Sequence, residues 1–146
     1  MGPIHDTLGV EQGGCLSDRL YKLANNEQHQ VAQSSGMGVD VTHACISSIG
    51  LADDSALLSN DVFKLQNLAL LTEEYSAKNH VELVPEKTKL LCFVPKGHRL
   101  STFYYKLMSP VALNNKKIPF VNDAEHVGIT RAVSGNMEDL VPTRRL

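Results

Sequence analysis

No apolar run in these 146 residues is long enough to span a membrane, and the N-terminus lacks the apolar stretch of a secretory signal. Met1-Gly2 is not a myristoylation start, because Pro3 follows and Asp6 stands where Ser or Thr is expected. Cysteine is scarce. Cys15, Cys45 and Cys92 show no Cys-x-x-Cys spacing, and the six His residues do not join them at zinc spacing. That argues against a disulfide framework and points to free thiols in a reducing compartment. There is no Trp, hydrophobic content is an ordinary 42%, and formal net charge is only −2, so the chain as a whole does not advertise a nucleic-acid partner. The expectation is a soluble, intracellular chain, nuclear or cytoplasmic, long enough for one domain with a real core.

What is present starts with two adjacent carboxylates, Asp53-Asp54, set between apolar runs in Gly50-Leu51-Ala52-Asp53-Asp54-Ser55-Ala56-Leu57-Leu58-Ser59. Residues 46–52 read as one strand and 55–59 as the next, so the acids fall at a hairpin turn. Two hard oxygen ligands there can hold Mg²⁺, which takes carboxylates, water and phosphate oxygens in an octahedron. The plainer reading is that Asp is a common turn residue.

Around this hairpin the pattern is mixed. Residues 1–15 are Gly-rich and irregular. Leu16, Leu20, Leu23 and Ala24 recur at helical spacing, with Ser17 placed to cap, and the helix is expected to fade in the polar run 25–30. Ser34-Ser35-Gly36 breaks the chain before a strand at 37–41. Ser59-Asn60-Asp61 caps a second helix at 61–78, whose apolar stripe is Val62, Leu65, Leu68, Ala69, Thr72 and Tyr75, ended by Asn79-His80. Strands are expected at 90–94, closed by Pro95-Lys96-Gly97, at 103–107, and near 118–121 after an Asn114-Asn115 turn. The fold class implied is α+β, a small antiparallel sheet with helices packed on one face. Charge is uneven: residues 81–117 hold seven Lys or Arg against two Glu, a local +5 that leaves −7 elsewhere. Such a stretch can track a phosphate backbone or be a solvated surface.

Four short motifs come in order. Gly9-Val10-Glu11-Gln12-Gly13-Gly14-Cys15-Leu16-Ser17 is a loop opening a helix. The Ala-Asp-Asp hairpin follows, then Glu86-Lys87-Thr88-Lys89-Leu90-Leu91-Cys92-Phe93, then Glu125-His126-Val127-Gly128-Ile129. This order resembles the palm of reverse transcriptases, most closely those of non-LTR, LINE-like retrotransposons, over about positions 9–130. The resemblance implies a partial palm domain at 1–130 and an irregular tail at 131–146. It implies an RNA-directed DNA polymerase working on an RNA template and DNA primer, with two-metal nucleotidyl transfer. Asp53 and Asp54 would be the catalytic, Mg²⁺-binding acids. Lys87 would be the Lys near the nucleotide phosphates, a candidate acid for the leaving pyrophosphate. Gln12 and Gly13 would pack beside template and nucleotide, and Val127-Gly128 would form a primer-contacting turn.

The sequence departs from the family pattern at several places. Leu51 replaces the usual aromatic, Glu11 a common basic residue, Asp18 a common Pro, and His126-Val127 an aromatic-Leu pair. The family's first catalytic Asp and its fingers lie upstream of the Gln-Gly loop, and only eight residues precede that loop here. The expectation is therefore a fragment, inactive alone; a second reading is an enzyme assembled in trans with a fingers-plus-palm chain. The alternative is a repurposed nucleic-acid- or protein-binding module without catalysis.

Overall fold

The computed structural model describes residues 14–51, 54–94, 106, 111–126 and 129–132. Their order is α1 (Ser17–Ser34), β1 (Val39–Val41), β2 (Ala44–Ile46), β3 (Ser48–Leu51), β4 (Asp54–Leu57), α2 (Val62–Lys78), β5 (Ala112–Leu113), β6 (Lys116–Lys117), β7 (Asp123–His126) and β8 (Ile129–Ala132). The fold is α+β. Its strands pair as four antiparallel hairpins, β1–β2, β3–β4, β5–β6 and β7–β8, and not as one continuous sheet among the described residues.

The second helix forms where its stripe and cap place it. Asp61 adopts extended backbone, and its carboxylate accepts the Phe63 and Lys64 N–H groups at 2.8 and 2.9 Å, two donors that the first helical turn leaves orphaned. Leu68, Ala69 and Thr72 are buried, with Val62, Leu65 and Tyr75 half-buried beside them. Leu68 is 0% exposed. Ala69 joins Leu90, Val111, Leu113 and Ile118 in the main apolar cluster, against which Leu57, Val62, Leu65, Leu83, Cys92 and Phe120 pack. Burial raises the Cys92 thiol above its ordinary pKa.

Polar groups of α2 hold the β5–β6 hairpin. The Gln66 amide donates to the Ala112 carbonyl at 3.2 Å and accepts the Ala112 N–H at 2.8 Å. Glu73 accepts the Asn114 N–H at 2.6 Å. Asn114 and Asn115 form the expected turn, with φ of 49° and 60°. Two successive left-handed residues are what a tight hairpin demands, and Asn tolerates them best after Gly.

The first helix departs from its expected form. It does not fade at 25–30 but runs to Ser34, and its N-cap is Leu16, without a side-chain capping bond, so Ser17 lies inside the helix. Its leucines are not a packed face: Leu16, Leu20 and Leu23 are 63%, 53% and 72% exposed, while Asn25, Gln28 and Ala32 are buried. The expected strand 46–52 is split at Ser47, which is fully buried. There the chain passes so close to Gly38 that a Cβ on Gly38 would lie 2.3 Å from the Ile46 carbonyl oxygen. The strand expected at 90–94 shrinks to one parallel bridge, Leu90 with Phe120. The strand expected at 103–107 lies outside the described residues, apart from Lys106, which is helical. Pro95-Lys96-Gly97 and residues 133–146 also lie outside them, while Arg131 and Ala132, expected to begin the irregular tail, end β8.

These burials predict a graded response in urea unfolding. Leu68→Ala should cost about 2–5 kcal/mol. Asp61→Ala should cost about 1 kcal/mol through its lost cap. Leu20→Ala should change stability by no more than about 0.5 kcal/mol. A large loss for Leu20→Ala would show that its face is covered.

Candidate functional site

The acidic motif sits on the β3–β4 hairpin. The register pairs Ser48 with Leu57, Ile49 with Ala56, Gly50 with Ser55 and Leu51 with Asp54, leaving residues 52 and 53 to connect the strands. The ladder is extended at its base by the Leu58 N–H donating to the Ser47 carbonyl at 2.8 Å. Side chains alternate across a strand, so Asp54 shares a face with Ala56 and Ile49. Ile49 and Asp54 are both exposed. The opposite face carries Leu57 into the core and Ser48 against α1. The hairpin thus presents Asp54 on the side away from the helices. Asp53 itself lies outside the described residues, as do Gln12, Gly13 and Val127-Gly128.

Two contacts from α1 hold β3 and the residue that precedes it. His29 Nδ1 and Ser48 Oγ share a 2.9 Å hydrogen bond, and the Gln33 side chain accepts the Ser47 N–H at 3.2 Å. Neither residue was legible as functional. Both fall in or after the polar run where the helix was expected to end, and nothing in the spacing pairs them with residues 47–50.

Lys87 does not enter a strand. It lies exposed in the turn 85–87, its N–H donating to the Val84 carbonyl at 3.1 Å, while Thr88 Oγ1 donates to the same carbonyl at 3.0 Å. The turn is tied to β6 by an ion pair between Glu86 and Lys116, which hydrogen-bond directly. That hydrogen bond holds the Glu86 carboxyl below its ordinary range. Lys87, Lys89, Lys116 and Lys117 are all exposed. The segment meets the hairpin through the core, where Leu57 of β4 packs on the cluster containing Leu90. Asp54 is three residues along β4 from Leu57, about 10 Å at the usual strand rise.

Among the described residues no three His, Cys, Asp or Glu side chains come together to hold a metal ion. No described helix is long and apolar enough to cross a membrane. No family model matches the chain, and comparison with curated proteins and with solved structures finds no match.

Two outcomes follow. A site of two turn carboxylates is weak, so millimolar Mg²⁺ should raise the melting temperature only slightly in a thermal scan; a large rise would reveal a third ligand. The Glu86 pKa is lowered on folding, so its contribution is full above about pH 4.3, the unperturbed Glu value, and is lost as pH falls through the lowered folded value. The stability difference between the wild-type chain and Lys116→Gln should therefore shrink in acid.

Proposed function

We propose that this chain is part of the palm of an RNA-directed DNA polymerase, with Asp53 and Asp54 as its metal-binding acids. The observation that carries this reading is the tight β3–β4 hairpin, with Asp54 exposed on the face opposite the helices. Acids placed there meet a phosphate-bearing substrate without crossing the core. When bound, Mg²⁺ neutralises phosphate charge and aligns a primer hydroxyl for attack. Asp53 and Asp54 would hold it, and the exposed Lys87 would give a proton to the leaving pyrophosphate. Gln12 and Gly13 would pack beside template and nucleotide.

Two ions about 3.5–4 Å apart need carboxylates from at least two chain segments. These 146 residues supply one such motif, and the other would come from polypeptide beyond them. The chain by itself is therefore expected not to extend a DNA primer on an RNA template with Mg²⁺ or Mn²⁺. Template-dependent extension above a buffer control, abolished by Asp53→Ala, would overturn that expectation while strengthening the polymerase assignment. A second reading, a nucleic-acid-binding module without catalysis, is favoured by the Glu86–Lys116 pair. It ties the segment of Lys87 and Lys89 to that of Lys116 and Lys117 and takes up one of the two acids of this stretch. Primer-template binding that survives Asp53→Ala and Asp54→Ala, but falls on Lys87→Glu with Lys89→Glu, would favour this module.

A further inference from the structure

Beyond Lys78 the chain folds back over the end of α2. His80 turns it with a φ of 55°, and the Val81 N–H donates to the Ser76 carbonyl at 2.9 Å. The returning segment and the Asn114 turn enclose a cleft of about 360 Å³ against the last turns of the helix. Glu73, Ser76, Glu82 and Asn114 give it polar groups, and Val81 and Leu83 an apolar side. Glu73 and Ser76 are three apart, so they share one helix face. Ser76 is the most buried of these residues, at 2% exposed, and its hydroxyl has no hydrogen-bond partner. Thr72, one turn earlier, spends its hydroxyl on the Leu68 carbonyl at 2.9 Å, the usual outlet inside a helix. Ser76 does not make the corresponding bond to Thr72. A buried hydroxyl without a partner is costly, and the open space that Ser76 borders is this cleft.

The charge around the cleft is one-sided. Glu73 is half-buried, with one oxygen accepting the Asn114 N–H at 2.6 Å, and Glu82 is exposed. Among the described residues neither acid has a cationic partner. Lys78, in the last turn of α2, does not line the cleft. The end of the helix adds the negative pole of its dipole. The acceptors therefore call for a cation. The Val81 and Leu83 side offers a bare metal ion nothing, but it suits the methylene stem of an organic one.

We propose that this cleft binds an alkyl ammonium group, borne by a small amine or by a lysine side chain of a partner. The ammonium donates to the second oxygen of Glu73 and to the Ser76 hydroxyl oxygen. Glu82 supplies another negative charge, and the stem lies along Val81 and Leu83. The site does not depend on the polymerase reading.

The test is amide NMR of the full chain, titrated separately with putrescine and with a blocked Gly-Lys-Gly tripeptide. At least one should shift the amides of 73–83 and Asn114 saturably at millimolar concentration, leaving those around Leu20 unmoved. Tighter binding of putrescine would assign the site to a free amine, and tighter binding of the tripeptide to a partner's lysine. Ser76→Ala and Glu73→Gln should each weaken the better ligand several-fold. So should Glu82→Gln, an exposed change that leaves folding intact. The tripeptide acetylated on its lysine, and MgCl₂, should leave these amides in place. Three outcomes would each overturn the proposal: no saturable shift with either amine, equal binding of the acetylated tripeptide, or unchanged affinity in both Ser76→Ala and Glu82→Gln.

Discussion

The inward face of α2 is the constraint on which the other elements depend. Leu68, Ala69 and Thr72 close a dry seam, with Leu68 wholly removed from water. Against or beside that seam lie α1, the base of β4, and the β5–β6 hairpin. Apolar contact supplies the attraction, but it has no direction. Direction comes from polar groups at its margin: Asp61 starts the helix, Gln66 fixes Ala112, and Glu73 holds the Asn turn. The β5–β6 hairpin and the base of β4 are ordered because this one helix gives them a surface. Two-stranded hairpins alone are marginal in water.

What was legible in the sequence is what depends on neighbours in the chain. The α2 stripe and its Asp61 cap, the Asn114-Asn115 turn and the acidic hairpin all follow from residues within one turn or one loop of each other. The first helix was misread because periodicity identifies an apolar stripe without showing that anything covers it. Leu16, Leu20 and Leu23 lie in its first half, whereas its contacts to β3 come from His29 and Gln33 in the second. The break at Ser47 was hidden for the same reason. It arises from Gly38 approaching the Ile46 carbonyl, eight positions away, and a composition rich in β-branched and apolar residues carries no mark of it.

The candidate site divides along the same line. The hairpin was readable from two flanking apolar runs, but both acids were expected in its turn, whereas Asp54 opens β4 and pairs with Leu51. Which face Asp54 occupies was not readable, because that depends on Leu57 reaching the core and on Ser48 meeting α1. Lys87 was read as the approach to a strand, but Pro85 and the Thr88 hydroxyl bond to Val84 shape a turn instead. The Glu86–Lys116 pair joins positions 30 apart and leaves no trace in local pattern.

The Gln66 side chain has a wider consequence. By answering both main-chain groups of Ala112, it occupies the place of a neighbouring strand for the length of one residue. Gln33 does half as much beside β3, accepting the N–H of Ser47, the residue before that strand. Exposed strand flanks are where unrelated chains stack onto one another. At Ala112 the plug against such stacking is an amide group borne on a helix, so resistance to unwanted growth there is set by a residue that belongs to no strand.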